Sequence, residues 1–326
     1  MKNGLIALLI GLGFSFSALA QNAEWPNKPI KVVSPYPAGG SNDSVTRLLS
    51  EKLTPLLRQT ITVENIPGKD GVIASEVVAK SKPDGFNFVM LASPHTANHH
   101  FYEKLPYETL TEFTPIVQVV KVPLFLLVPA NSPIKSVNDL VAAATKQPSL
   151  LKISTTGTGG GPHLALMVFK SVTKTEINQA PYLGDMPALS DMKAGNVDAG
   201  IHPIVSALPD IKAGKLRAIA VFGSSRSALL PDVPSLGEFG LLNTEVYAWF
   251  GLAGPAHLPK QIVSRLNKDV NDILEQADVK QSLADMGMVP LGGTAEQYNK
   301  FIHEDFNKWK TLAAKEKALG IVQQKK

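Results

Sequence analysis

Cysteine is missing altogether from the 326-residue chain, which rules out disulfide staples, thiolate metal sites, cysteine nucleophiles and thiol redox chemistry. A small exported domain usually needs disulfides, whereas a chain this long buries enough apolar surface without them. Beyond the N-terminus no apolar run approaches the ~20 residues that a membrane-spanning helix needs; Pro123 to Ala130 is only of strand length. Charge of one sign is concentrated nowhere. The 32 basic and 28 acidic residues are scattered, for a net charge of +4, and only Lys325-Lys326 cluster at the end. A nucleic-acid binder would show a basic stripe, so that partner is not expected, and a mildly basic surface steers small anions only weakly. The phosphate loop G-x-x-x-x-G-K-[ST] is absent: Gly68-Lys69-Asp70-Gly71 lacks both its leading glycine and its hydroxyl residue. Gly157-Thr158-Gly159-Gly160-Gly161 fits a dinucleotide fingerprint poorly, and no G-x-S-x-G nucleophile elbow is present.

What is present begins with an address. Lys2 supplies a positive start, Leu5 to Phe16 is almost wholly apolar, and Ala18-Leu19-Ala20 is an A-x-A cleavage site. In this order the three parts read as a secretory signal peptide over residues 1–20, leaving a soluble, exported chain that starts at Gln21. The apolar run is too short to serve as an anchor. Apolar residues make up 44% of the chain, enough for the core of one large or two medium domains.

The rest alternates short apolar strands with amphipathic helices. A buried-strand run, Ile30 to Tyr36, stops at Pro37-Ala38-Gly39-Gly40; Ser41, Asn42 and Asp43 offer helix caps, and Val45, Leu48, Leu49 and Leu53 follow at helical spacing. Thr60 to Asn65 alternates as a strand, a glycine-opened helix follows Gly68, and "FNFVMLAS" is another buried strand. This β-α-β-α-β order predicts a parallel sheet covered by helices. The scheme repeats through "LFLLVPA", the helix opened by Ser136, "LKISTT", the glycine run 157–161 and the helix "HLALMVFKSV", and it continues to "LRAIAVFG". From Pro259 on the chain is helix-rich. We expect two α/β lobes, with the C-terminal helices returning to cover the first.

Two strand–glycine–helix junctions are the candidate site. One is Tyr36 to Asp43, the other Thr155 to His163. Each places glycines and small polar residues where a strand ends and a helix begins. Unpaired N–H groups and the positive end of the helix dipole collect there, which suits an anion, and ligands of open α/β sheets sit outside the carboxyl ends of the strands. Either junction alone is also what an ordinary strand-ending turn looks like. One per lobe, they resemble opposing jaws. His95 and His99 are four apart, but no Glu stands in the gap, and Ser93-Pro94 makes the segment a loop or a helix start. No metal and no cofactor are expected. His163 and His202 lie beside turns and either line a pocket or pack. Asp43 either faces the ligand or holds its own helix, as a cap or as an i,i+4 partner of Arg47. A Ser/His/Asp triad is defined by geometry and stays open.

The runs "WPNKPIKVVSPYPAGGSNDSVTRLLSEKL", "VENIPGKDGVIASEVVAKSKPDGFNFVM", "APYLGDMPALSDMKAGNVDAG", "LLPDVPSLGEFG" and "WFGLAGPAHLPKQIVSRLN" resemble the Bug-type substrate-binding receptors of tripartite tricarboxylate transporters, in order along the whole chain after Gln21. The resemblance implies a type II periplasmic-binding-protein fold: two α/β lobes, a central cleft and a hinge. It implies a small organic acid, held largely by backbone amides and ordered water from the two glycine turns. Carried over, the site is Ala38, Gly39, Gly40 and Asp43 on one lobe and Thr156, Gly157, Thr158 and His163 on the other, with Ser93 and Asp185 at the rim. The chain departs from the family at Ala38, where a second proline is common, and in its glycine-rich second turn. It departs again at "PYLGD", which stands for a more usual "YKG" and bears on ligand preference.

The reading is therefore a periplasmic receptor, monomeric, with lobe one at 21–122 plus 247–326 and lobe two at 123–246. It delivers a carboxylate to membrane transporter subunits or to a sensor protein and catalyses nothing. The alternative is a periplasmic hydrolase or lyase using the same cleft, which would need an activated nucleophile or a base poised near neutral pH.

Overall fold

The computed structural model describes residues 25–157, 160–182 and 184–318; the expected signal peptide and Thr158 lie outside them. Strands β1 (Ile30–Ser34), β2 (Ile61–Asn65) and β3 (Asn87–Ala92) are parallel, in the order β2-β1-β3, and are linked by helices α1 (Ser41–Leu57) and α2 (Val72–Ala79). After β3 comes α3 (Pro94–Phe101), then the 17-residue strand β4 (Phe113–Pro129). A second α/β unit follows: α4 (Val137–Lys146), β5 (Lys152–Thr156), α5 (Gly161–Thr173), β6 (Asn178–Tyr182), α6 (Asp185–Ala194), β7 (Ala199–Pro203), α7 (Ile204–Lys212) and β8 (Leu216–Val221). The chain returns through β9 (Tyr247–Pro255) and finishes with α8 (Lys260–Leu274), α9 (Ala277–Asp285), the short β10 (Val289–Pro290) and α10 (Ala295–Ala318).

Period-2 alternation explains why helices cover both faces of each half. Along β1, Val32 enters one core and Val33 the other; along β3, Phe88 and Met90 go one way and Val89 and Leu91 the opposite way. In the second half Leu124, Leu126 and Val128 face one core while Phe125 and Leu127 face the other.

β4 joins the halves. From Phe113 to Pro123 it pairs antiparallel with β9, and from Leu124 onward with β7 and β8. β9 in turn pairs antiparallel with β3. Strand β9 was not expected, because Gly251 and Gly254 make its sequence look like a turn. The glycine has a packing reason: a Cβ on Gly251 would lie 2.2 Å from the Tyr298 hydroxyl oxygen of α10. Helix α10 reaches both halves. Tyr298 and Ile302 sit in the core around β3 and β9, while Trp309 and Ala313 sit in the core around α5 and β7. No helix among the described residues is long and apolar enough to cross a membrane.

Candidate functional site

The first glycine turn is held by Asp43. Its Oδ2 accepts the Gly39 N–H at 2.8 Å and Arg47 Nε at 2.9 Å, and its Oδ1 accepts Asn65 Nδ2 at 2.8 Å. Asn65 Nδ2 also donates to the Tyr36 carbonyl at 3.0 Å. Burial pushes the Asp43 carboxyl up, but the hydrogen bonds from Arg47, Gly39 and Asn65 outweigh it and hold the group at about 2. Of the two roles open to Asp43, the geometry displays the structural one: it fixes the turn and pairs with Arg47. The Gly39 amide is consumed in doing so, and the Gly40 amide points to the Pro37 carbonyl at 3.3 Å. The N-cap of α1 is Gly40, which has no side chain to cap the helix. The donors that helix geometry leaves without intrahelical partners are the N–H groups of Ser41, Asn42 and Asp43. Ala38 and Gly39 are exposed and Gly40 is half-buried beside them.

The second turn is built the same way at the end of β5. Gly157 adopts φ +62°, its N–H donates to the Tyr182 carbonyl at 3.1 Å, and its carbonyl accepts Gln179 Nε2 at 3.2 Å. The N-cap of α5 is Gly160, again with no side chain. A Cβ there would lie 2.6 Å from the Thr156 carbonyl oxygen, so only glycine lets the chain double back this tightly. Thr156 is half-buried at the strand end, and His163 is buried in the first turn of α5 with its ring against Phe101 of α3, centroids 5.8 Å apart. Ser93 is buried at the start of α3, where its Oγ accepts the Trp249 N–H of β9 at 2.9 Å. It therefore ties α3 to the returning strand.

The turn from Gly68 to Gly71 was not among the sequence candidates. It faces the second glycine turn: Asp70 Oδ1 lies 4.0 Å from the position a Cβ on Gly157 would occupy. Asp70 Oδ2 accepts the Tyr102 hydroxyl at 3.2 Å.

Asp185 opens α6. Its Oδ1 meets His202 Nδ1 at 2.8 Å and its Oδ2 accepts the Ser206 hydroxyl at 2.9 Å; His202 Nε2 meets Ser154 Oγ at 2.9 Å. Ser154, His202 and Asp185 thus have the connectivity of a catalytic triad. Ser154 and His202 are completely buried, however. A Cβ on Gly200 would come within 2.5 Å of Ser154 Oγ, leaving no space for a substrate carbonyl, and a nucleophile needs both that space and an oxyanion hole. The chain of bonds instead ties the start of α6 to β7 and β5. Ser154→Ala is expected to cost about 1–3 kcal/mol, the penalty of an unsatisfied buried partner, in urea unfolding. It should leave p-nitrophenyl ester hydrolysis at the parent's level; an esterase activity present in the parent and lost in the variant would reveal a nucleophile after all.

His95 and His99 do share a helix, α3, rather than a loop. His95 is buried between Tyr107 and Phe113, with ring centroids 5.8 and 4.7 Å away, and burial pushes it down to about 4. No group of three or more His, Asp or Glu side chains suited to a metal occurs among the described residues.

Two α/β units joined by the crossing strands β4 and β9, with α1 and α5 each starting at a glycine cap, have the architecture of a solute-binding protein. Residues 45–318 match the model of the tripartite tricarboxylate transporter family receptor, and the chain belongs to that family. Protein BugT of Bordetella pertussis is 31% identical over 287 residues, covering 87% of this chain and 88% of BugT. The protein encoded in the tcbD-tcbE intergenic region of Pseudomonas sp. strain P51 is 31% identical over 310 residues, 94% of this chain and 92% of its own length. Among solved structures, R. palustris Rpa4515 with adipate superposes with a TM-score of 0.79 at 30% identity, covering 89% of this chain and 98% of that one. MatC from Rhodopseudomonas palustris with bound malate gives 0.76 at 29%, covering 89% and 100%. The chain is a periplasmic solute-binding receptor of a transport system and not an enzyme.

Proposed function

We propose that the receptor captures a small organic acid by seating its carboxylate between the first turns of α1 and α5. One observation carries this reading: both helices begin at a glycine cap with no side chain of its own, so each start is left open to an anion. The acids named with the solved relatives, adipate and malate, support it. In this reading Ala38, Gly39, Gly40 and Asp43 shape one jaw, and the Ser41 and Asn42 amides add donors that the sequence did not single out. Thr156, Gly157, Thr158 and His163 shape the other, and Ser93 and Asp185 stand at the rim. Lobe one comprises residues 21–122 and 247–326, lobe two 123–246, with residues 1–20 removed on export. The monomer hands its ligand to membrane subunits of the transporter or to a sensor protein.

Charge-assisted hydrogen bonds are worth about 1.5–3 kcal/mol each. A handful, less the cost of immobilising the ligand, suits micromolar or tighter binding. Calorimetric titration against mono-, di- and tricarboxylates, with the ligand recovered and analysed afterwards, is the test. At least one acid should bind at micromolar concentration and return unchanged, and its amide should not bind. A panel silent up to millimolar concentration would refute the carboxylate reading, and recovery of a converted product would restore the enzyme alternative.

A further inference from the structure

The turn that brings Asp70 to the cleft is strained. Gly68, Lys69, Asp70 and Gly71 all have positive φ, at 140°, 46°, 52° and 87°. Two of the four carry side chains in a backbone region that L-residues avoid. Strain of this kind persists only where neighbours fix it, and here they do. Asn98 Nδ2 donates to the Asp70 carbonyl at 3.0 Å, the Gly71 N–H donates to the Gly68 carbonyl at 3.0 Å, and a Cβ on Gly71 would press on Pro35 at 3.2 Å. The consequence is a carboxylate delivered across the lobe boundary, 4.0 Å from the Cβ position of Gly157. Its charge is felt by its neighbours: burial first and Asp70's negative charge second push the Tyr36 and Tyr102 hydroxyls well above their ordinary range. Asp185, the other acid at the rim, is bonded to His202 and Ser206 within its own half.

We propose that Asp70 sets the charge preference of the cleft, disfavouring an acid that presents a second carboxylate against the Gly157 turn and favouring one that presents an ammonium group there. This rests on the carboxylate reading above. The argument depends on the charge of Asp70, which any hydrogen bond donated to it leaves in place. A second carboxylate brought against the Gly157 turn, at about 5 Å from Asp70 and an effective dielectric near 20, would lose affinity on the order of a hundredfold to like-charge repulsion, while an opposite charge there would gain comparably. The filter acts on the remainder of the ligand: the acid that binds well brings a compensating positive charge.

Two matched pairs isolate that charge, glutarate against L-glutamate and succinate against L-aspartate, each differing by one ammonium group. The parent protein should bind the amino acid of at least one pair tenfold or more tighter than the diacid. Asp70→Asn keeps the shape, the acceptor for Tyr102 and a residue tolerant of positive φ; it should shrink that preference at least tenfold, chiefly by strengthening diacid binding. Asp70→Gly relieves the turn and removes the carboxylate, and it should shift the preference the same way, which separates charge from local strain. Calorimetry reads the affinities and circular dichroism the fold. The inference alone fails if the parent prefers the diacids, binds other acids but none of these four, or keeps its preference within threefold in both variants. If the parent binds no organic acid at all, the carboxylate reading fails and takes this one with it.

Discussion

Gly160→Val should abolish binding of every organic acid that the parent titrates, and Gly160→Ala should come close to doing so. The backbone at Gly160 has φ −72° and ψ 163°, a conformation any residue adopts. The obstacle is space. A Cβ would meet the Thr156 carbonyl oxygen at 2.6 Å, and that oxygen belongs to a strand paired with β6 right up to Thr156 and with β7 through Ile153 and Ser154. The backbone cannot yield, so the turn must open and the first N–H groups of α5 must turn away from the cleft. Losing two or three charge-assisted donors at about 1.5–3 kcal/mol each amounts to at least a hundredfold in affinity. Helix α5 keeps its anchor, because Leu164, Leu166 and Phe169 remain in the core, so circular dichroism should be unchanged. Gly40→Val is expected to do less, about tenfold, since a Cβ there stands 3.3 Å from the Pro37 carbonyl oxygen in an exposed turn free to give by a few tenths of an ångström. Titration of the parent and the three variants with the tightest acid of the panel decides it. Parent-like binding by Gly160→Ala would place the ligand elsewhere.

Much of this geometry was visible in the sequence, and the parts that were not share a cause. The β1-α1-β2-α2-β3 order could be read because periodicity is local: Val45, Leu49 and Leu53 fall on one face of α1 and all are buried. Both glycine turns were legible for the same reason, and so was the i,i+4 pair of Asp43 and Arg47. Strand β9 was hidden because Gly251 answers to Tyr298 and Gly254 in part to Phe88, residues distant in sequence. Helix α3 was obscured by Pro94, which suits a first helical turn, and by histidines whose burial among Tyr107, Phe113 and Phe306 no pattern announces. The Ser154–His202–Asp185 chain spans three elements and has no motif. Asp70 had a signal, an acid between glycines in "GKDG", but its meaning depends on Gly157 across the cleft.

Trp309→Ala tests the other long-range feature, the helix that belongs to both lobes. Helix α10 places Tyr298 and Ile302 in the first lobe's core and Trp309 and Ala313 in the second's. Between them lies Asp305, whose Oδ2 accepts Thr96 Oγ1 at 2.6 Å and Trp249 Nε1 at 3.3 Å. Burial pushes its carboxyl above the usual range even though the Thr96 hydroxyl, the Lys308 charge and the Trp249 N–H oppose the shift. Such a helix couples the unfolding of one lobe to the other, because its two ends cannot leave their cores independently. Trp309 is 2% exposed, and replacing a buried tryptophan by alanine typically costs about 3–5 kcal/mol through lost contacts and a residual cavity. The loss falls chiefly on the second lobe, whose core also takes in Ala97 and Phe101 of α3. Urea unfolding of the variant should therefore start earlier and separate into two steps, with the first lobe, still held by Tyr298 and Ile302, melting last. Tyr298→Ala should reverse that order. Circular dichroism alongside tryptophan fluorescence distinguishes the steps, since Trp249 reports on the first lobe's core in both variants. A single transition within 1 kcal/mol of the parent's, an error typical of such extrapolations, would show that α10 lies on the second lobe without holding it.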